Sequence, residues 1–415
     1  MAAERVVLVG LALPHVPEHV VEEYLDELAD LADTAGGSVL RRFVQLRDKP
    51  DAATYIGRGK AEEIAAFCHG EGVRLAVFDD DLTPAQVRNL EKIFATRVTD
   101  RTGLILDIFA KRARTREAKT QVELAQYTYL LPRLTRAWTH LSRQAGGIGT
   151  RGVGETQLET DRRVIRRRIA HLTEELRHIA AHREVQRRRR QSTFEVALIG
   201  YTNVGKSTLL NRLTSARVPV EDRLFSTLDT TFKRLPIQGI PVEVLLIDTV
   251  GLIRKLPHHL VASFRSTLEQ AREADLILHI VDVSHPAFEE QAQTALAVLS
   301  ELAMDEIPIL TVLNKTDRAP QGFLERAKGL YPEAAPTSAA TGDGLPGLIG
   351  AVKKAVLKLG GCATLTVPYE RWPDFLNVRK SLKVAGETYG EKGVTLSLRA
   401  RPEVIRELRR EFCER

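Results

Sequence analysis

Short apolar runs alternate with amphipathic stretches through the first quarter of the chain. Residues 6–9 and 74–78 predict buried strands, and the spacing of apolar side chains across residues 20–31 predicts a helix. Thr83 and Pro84 predict the start of another helix, because Thr caps helices and Pro is tolerated in the first turn. Strands that alternate with helices are typical of a parallel sheet. We therefore expect an α/β domain over residues 1–112.

Two longer helical stripes follow, with apolar side chains three and four residues apart. Pro132 lies inside the first stripe and predicts a kink or break there. A glycine-rich segment, residues 146–155, separates the stripes, which favours an antiparallel helical hairpin with a flexible tip. We call the hairpin, residues 113–191, the basic arm. The stripes comprise Leu124, Tyr127, Leu131, Leu134, Trp138 and Leu141, then Ile165, Ile169, Leu172, Leu176 and Ile179.

Charge is concentrated in the same segment. Residues 111–190 contain 20 Lys and Arg against 8 Asp and Glu, a charge of +12, whereas the whole chain carries +6 and the remainder therefore −6. A concentrated basic segment favours a nucleic-acid partner over a merely solvated helix or a coiled-coil linker. The tip residues expected to contact RNA are Gly146, Gly147, Gly149, Arg151, Gly152 and Gly154.

A phosphate-binding loop follows the arm. Residues 194–199 predict a strand, residues 208–213 predict a helix, and the pattern G-x-x-x-x-G-K-S lies between them. The glycines allow a tight turn that points N–H groups at an anion, to which the helix adds the positive end of its dipole. Lys206 is expected on the β- and γ-phosphates and Ser207 on Mg²⁺. The loop residues are Gly200, Tyr201, Thr202, Asn203, Val204, Gly205, Lys206 and Ser207.

Further motifs appear in the order that a guanine-nucleotide switch needs, each after a predicted strand. Asp248 is expected to hold Mg²⁺ through water, and the Gly251 N–H to meet the γ-phosphate. The Asp317 carboxylate can accept two N–H bonds from guanine that adenine cannot supply, which makes GTP the expected nucleotide. We expect a Ras-like GTPase domain over residues 192–360. Its motifs are Asp248, Thr249, Val250 and Gly251; Asn314, Lys315, Thr316 and Asp317; and Ser338, Ala339 and Ala340.

The segment before Asp248 is expected to be a switch loop. One threonine there should reach Mg²⁺, and spacing alone leaves Thr227, Thr230 and Thr231 as candidates. Asn203 could help to position K⁺ beside the phosphates, although a surface turn residue is the alternative. The switch residues expected at the nucleotide are Phe225, Ser226, Thr227, Leu228 and Asp229.

No catalytic residue is assigned. Leu252 stands where a Ras-like switch carries the Gln that orients water, and an apolar side chain cannot do so. We expect slow intrinsic hydrolysis that a partner accelerates.

The composition bears on the cellular location of the protein. No apolar run reaches the roughly 18 residues of a transmembrane helix, and three distant cysteines without metal spacing are consistent with a reduced, cytoplasmic location. Nothing indicates an obligate dimer, so a monomer is expected.

The chain closely resembles the HflX family of ribosome-associated GTPases. The resemblance rests on residues 55–60, 100–110, 146–161, 225–229 and 248–251, of which the glycine-rich arm segment is specific to the family. It implies binding to the large ribosomal subunit and its rRNA and splitting of stalled or idle 70S ribosomes. Our main hypothesis adds that GTP hydrolysis, stimulated by the ribosome, drives release. The resemblance also implies Mg²⁺ ligation by Thr227 beside Ser207, and an N-terminal domain able to bind ATP.

Two other functions remain open: a large-subunit assembly factor, and an ATP-dependent RNA-remodelling protein. A small α+β domain is expected over residues 361–415, with strands at 363–367 and 394–398. It could dock on the ribosome or pack against the GTPase core.

Overall fold

The computed structural model describes residues 3–134, 153–188, 193–214, 224–225, 227–238, 240, 243–255, 271–359, 361–379, 382, 384–400 and 402–413. The chain divides into two compact units. The first comprises Met1–Arg177, Arg223–Phe225 and Leu256–Ser263, and the second comprises His178–Asp222, Ser226–Lys255 and Phe264–Arg415.

The first unit begins with a four-stranded sheet in the order β2-β1-β3-β4, in which all neighbouring strands are parallel. Strand β1 is buried without interruption from Val6 to Ala12, as expected where helices cover both faces of a parallel sheet. The expected α/β class is confirmed. The elements are β1 (Glu4–Ala12), α1 (Glu18–Ala35), β2 (Gly37–Leu46), α2 (Arg58–Glu71), β3 (Leu75–Phe78), α3 (Pro84–Phe94), β4 (Arg97–Asp100) and α4 (Arg101–Arg112).

Helix α3 begins where its sequence predicts. Thr83 is the N-cap: its hydroxyl accepts the Gln86 N–H, and its own N–H donates to the Gln86 side-chain oxygen. Pro84 occupies the first turn, where its missing N–H costs nothing.

The acidic strand ends of this sheet bind protein groups. Asp79 accepts from the buried Arg101 guanidinium at 2.6 Å, and Asp80 accepts from the Tyr55 hydroxyl at 2.5 Å. Asp100, itself fully buried, caps α4 by accepting the Gly103 N–H. These contacts stabilise the edge of the sheet at which α/β folds often bind ligands.

The basic arm consists of α5 (Arg116–Leu134) and α6 (Val153–Arg188). Glu123 pairs with Arg168 at 2.8 Å and Arg116 pairs with Glu175 at 2.7 Å. The pair with the lower residue number on α5 has the higher residue number on α6, so the helices are antiparallel, as expected.

Two details of the arm differ from expectation. Helix α5 continues through Pro132 to Leu134, so a break at Pro132 is wrong. Arg133 binds Asp100 at 2.8 Å and stacks on Tyr129, which anchors this end of the helix. Helix α6 already begins at Val153 and includes Gly154, which was expected in the loop.

The second unit contains a six-stranded sheet in the order β10-β9-β8-β5-β7-β6. Neighbours are parallel except the edge strand β6, which is antiparallel to β7. Parallel strands bring the carboxyl ends of β5, β7, β8 and β9 to one edge. The elements are β5 (Thr193–Gly200), α7 (Lys206–Thr214), β6 (Thr231–Leu235), β7 (Glu243–Asp248), β8 (Leu276–Asp282), α8 (Phe288–Glu301), β9 (Ile309–Asn314), α9 (Gln321–Leu330), β10 (Ala335–Pro336) and α10 (Leu345–Leu359).

The C-terminal region has the expected α+β character. Its antiparallel sheet has the order β11-β13-β12, and β12 was not anticipated from the sequence. Across the described ranges of the chain, no helix combines the length and apolarity needed to span a bilayer. The elements are β11 (Gly361–Val367), α11 (Trp372–Arg379), β12 (Val384–Gly390), β13 (Gly393–Ala400), α12 (Pro402–Leu408) and a π-helical turn, Arg409–Cys413.

His279 is a buried titratable group in the middle of the second sheet. It pairs through its backbone with Ile199 and Thr311, and neither ring nitrogen has a hydrogen-bond partner among the described residues. Burial lowers the pKa of His279 to about 4.

We predict that His279 makes the protein acid-sensitive. The unfolded chain binds a proton here below about pH 6.5 and the folded chain does not until about pH 4, so stability falls with pH between these values. The His279→Leu variant should lose about 2 kcal/mol less stability between pH 7 and pH 5 than the original chain. Calorimetric unfolding at the two pH values measures this. His69→Gln, at an exposed position on α2, is the control, and equal pH dependence in all three proteins would contradict the prediction.

Candidate nucleotide site

The phosphate loop lies between β5 and α7 and requires its glycines. Gly205 has φ +91°, and a Cβ there would lie 2.5 Å from the Asn314 side-chain nitrogen. A Cβ on Gly200 would lie 2.3 Å from the Ile280 carbonyl oxygen. Asn203 also has a positive φ of 59°. The loop is therefore a tight turn in which larger residues would clash with neighbouring backbone and side chains.

Lys206 lies inside this loop and is almost completely buried. Its ammonium donates to the carbonyl oxygens of Gly200 at 3.1 Å and Tyr201 at 2.6 Å. Burial lowers the pKa of Lys206 to about 8, while the nearby Asp248 acts in the opposite direction. The loop therefore places a desolvated cation where an anion is expected.

Three oxygen-bearing side chains meet beside the loop. The Ser207 hydroxyl donates to Asp248 Oδ2 at 2.8 Å, and it lies 2.8 Å from the Thr227 hydroxyl. Motif spacing left Thr227, Thr230 and Thr231 as candidates for the Mg²⁺ ligand. The structure places Thr227 next to Ser207.

The same cluster has the character of a cation site. Asp248 is fully buried, its other oxygen Oδ1 has no hydrogen-bond partner among the described residues, and burial raises its pKa. An ionised carboxylate in this position is stabilised by a nearby cation, and the Lys206 ammonium already acts to lower the pKa of Asp248. Hydroxyl and carboxylate oxygens are the hard ligands that Mg²⁺ prefers, so Ser207, Thr227 and Asp248 fit this ion. Elsewhere in the described parts of the chain, no group of three or more His, Cys, Asp or Glu suits a metal.

Asn314 connects the phosphate loop to the loop expected at the base. Its side-chain nitrogen donates to the Val204 carbonyl at 2.7 Å, and its side-chain oxygen accepts the Ala339 N–H at 3.0 Å. Thr316 donates through its backbone and hydroxyl to the Thr337 carbonyl. The two segments are therefore held in register by one buried amide side chain.

The Asp317 carboxylate, which is expected at the guanine base, has a partner that the motif did not reveal. The Ser338 hydroxyl donates to Asp317 Oδ1 at 2.6 Å, which orients the carboxylate. Ser338 in turn accepts the Thr341 N–H at 3.1 Å.

Two further residues at this end escaped the sequence reasoning. Lys315 pairs with Asp282 at 2.7 Å, and Asp282 could have been noticed as an acid at the end of a buried strand. Arg212 donates to the carbonyl oxygens of Ala339 and Ala340, a contact from α7 for which the sequence carries no signal.

The switch residues fall into different environments. Phe225 belongs to the first unit, where its ring contacts Phe109 edge-on at 4.7 Å. Leu228 is buried. Asp229 is partly exposed and follows Leu228 directly in the switch loop. Ser226 lies outside the described residues.

The motif that ends β7 packs on the phosphate loop. Thr249 is buried and its hydroxyl donates to the Leu198 carbonyl at 2.7 Å, and Val250 is buried next to it. Gly251 lies against Thr202 and Lys206, so that a Cβ there would be 3.0 Å from the lysine nitrogen. Leu252 is 2% exposed and packs in the apolar core, which is incompatible with orienting water.

The expected RNA-contacting residues Gly146, Gly147, Gly149, Arg151 and Gly152 lie outside the described residues. Gly154 lies in the first turn of α6.

Three family models match the chain in succession. Residues 22–110 match the N-terminal region of GTP-binding GTPases, and residues 112–190 match the middle region of the same proteins. Residues 195–315, which contain the phosphate loop, match a family described as 50S ribosome-binding GTPase.

Similar proteins cover almost the whole chain. GTPase HflX of Caldanaerobacter subterraneus subsp. tengcongensis is 44% identical over 98% of this chain and 93% of its own length. GTPase HflX of Escherichia coli (strain K12) is 44% identical over 88% of this chain and 86% of its own. Among solved structures, a GTP-binding protein of Sulfolobus solfataricus in complex with GDP aligns over 86% of this chain and 99% of its own, with 24% identity and a TM-score of 0.45.

We predict that Ser338 strengthens guanine binding through Asp317. Replacing Ser338 with Ala removes the 2.6 Å bond that orients the carboxylate and should weaken GDP affinity by roughly tenfold. Fluorescent-GDP titration measures this. Ser300→Ala, the same change on α8 away from the site, is the control. An unchanged GDP affinity in Ser338→Ala would show that Asp317 needs no such support.

Proposed function

Because this chain belongs to the HflX family of GTPases and hydrolyses GTP, we propose that it binds the large ribosomal subunit and splits stalled or idle 70S ribosomes. GTP binding favours the ribosome-bound state and hydrolysis releases the protein. The match of residues 195–315 to 50S ribosome-binding GTPases supports the choice of partner. The observation that carries the proposal furthest is the basic arm that directly precedes this domain.

The arm offers positive charge that its own acids do not neutralise. Arg168 and Arg116 pair with Glu123 and Glu175 across the hairpin. By contrast, Arg163, Arg166 and Arg167 are exposed on α6, and no acid of the described ranges pairs with them. Exposed guanidinium groups make bidentate contacts with phosphates. The arm therefore suits rRNA, with the glycine-rich residues 146–154 at its tip as the proposed contact.

Mg²⁺ is the proposed cofactor of the nucleotide site. Ser207 and Thr227 would ligate it, and Asp248 would contribute its negative charge. When bound, the ion supplies charge neutralisation for the phosphates. The chain itself contributes the Lys206 ammonium and the N–H groups of the loop. K⁺ beside Asn203 is a further proposal, supported only by the place of that residue in the loop.

Slow hydrolysis by the protein alone belongs to the same proposal. Leu252 is buried in the core and cannot position water. A partner that orders the switches or supplies the missing group is thus required for rapid turnover. We further propose that the protein acts in the cytoplasm as a monomer. No specific contact of the described residues favours ATP in the N-terminal domain.

We predict that the protein with a non-hydrolysable GTP analogue converts 70S particles into subunits on sucrose gradients. GDP should leave 70S particles intact, since the GTP-bound switches favour the active state. Asp317→Ala, which loses the carboxylate expected at guanine, is the control and should be inactive at the same concentration.

Deleting residues 146–154 is the matched test of the arm. This variant should bind GTP normally and lose 70S dissociation. Retained dissociation would eliminate the arm model, and co-migration with immature large particles alone would favour an assembly factor. Dissociation of 70S particles that depends on ATP and proceeds without GTP would favour an RNA-remodelling protein.

A further inference from the structure

The chain that follows β7 resumes strand-like pairing with the phosphate loop. The regular pairing of β5 and β7 ends at Leu198 and Asp248. It returns as a parallel bridge between Tyr201 and Leu252, in which the Leu252 N–H donates to the Gly200 carbonyl at 3.1 Å and the Thr202 N–H donates to the Leu252 carbonyl at 2.7 Å. Two backbone hydrogen bonds thus join the segment after β7 to the loop that carries Lys206.

A side chain adds a third bond to this pairing. The Tyr201 hydroxyl oxygen accepts the Arg254 N–H at 2.7 Å, and both residues are buried. The Arg254 guanidinium extends toward Glu290 on α8, with its Nη1 3.2 Å from the carboxylate. The segment after β7 therefore contacts the phosphate loop on one side and α8 on the other.

The three bonds flank Gly251. A Cβ on Gly251 would be 2.8 Å from Thr202 Cγ2 and 3.0 Å from the Lys206 nitrogen, so the glycine backbone lies directly on the phosphate loop. Leu252 anchors the next position by burying its side chain in the core. Of these restraints, the phenol oxygen is the one that a substitution can remove without changing the backbone or the apolar packing.

We propose that Tyr201 is a positioning residue for GTP hydrolysis. Its hydroxyl oxygen holds the Arg254 N–H and thereby keeps Gly251 beside Lys206, where the charge of the transferred phosphoryl group is expected to develop. The role matters because Leu252 cannot orient water, which leaves backbone placement as the main contribution of this segment to the reaction. The inference rests on the GTPase activity and not on the ribosomal partner.

Tyr201→Phe tests the proposal, because it removes the acceptor and keeps the ring. A buried N–H without its partner favours local opening of the segment. We expect the single-turnover rate of GTP hydrolysis to fall about tenfold, as for the loss of one buried hydrogen bond. Dissociation constants for GDP and for a GTP analogue should change less than about twofold, since the loop backbone is intact. Amide exchange at residues 252–254 should accelerate.

Tyr331→Phe is the matched control, since it makes the same change in the same unit at a ring that packs near His279. It should leave the rate and the exchange unchanged. Unchanged hydrolysis and exchange in Tyr201→Phe would overturn the proposal. So would a loss of rate accompanied by an equal loss of nucleotide affinity, because this would indicate a general loss of the folded site and not a loss of positioning. All measurements use the full chain without ribosomes, so a failed ribosome-splitting assay does not affect them.

Discussion

The nucleotide site depends on two charged groups buried at the edge where the parallel strands of the second sheet end. Lys206 satisfies its ammonium on two carbonyl oxygens of its own loop, and Asp248 satisfies only one of its oxygens, on Ser207. Desolvation lowers the pKa of the first and raises that of the second. In the proposed site, a phosphate group beside Lys206 and Mg²⁺ beside Asp248 would compensate both desolvation costs.

The same edge joins the parts that must respond to those ligands. Asn314 connects the phosphate loop, through Val204, to the loop that contains Ala339. Tyr201 and Leu252 connect the phosphate loop to the segment after β7. Leu252 anchors the segment after β7 in the apolar core. At this position a Ras-like GTPase carries the Gln that orients water.

Sequence reasoning anticipated the placement of residues whose position follows directly from the local pattern. Asp248 and Asn314 end parallel strands, Ser207 lies in the first turn of the helix after β5, and the carboxyl ends of parallel strands converge at one edge. Pairs between distant segments, such as Ser338 with Asp317 and Tyr201 with Arg254, depend on packing that no spacing encodes. The continuation of α5 through Pro132 is likewise not encoded in the local pattern, since the tertiary contacts of Arg133 with Asp100 and Leu82 hold the helix end. Strand β12 contains two glycines and little alternation, so it carried no signal.

The central claim is that this site holds GTP by itself and needs the large ribosomal subunit to cleave it rapidly. The most direct test is the GTP turnover number of the full chain, measured alone and with saturating purified large subunits in the same buffer. The account predicts stimulation of at least about tenfold, as expected when a partner supplies or orders a missing catalytic group. Rapid turnover by the protein alone, unchanged by large subunits, would contradict it.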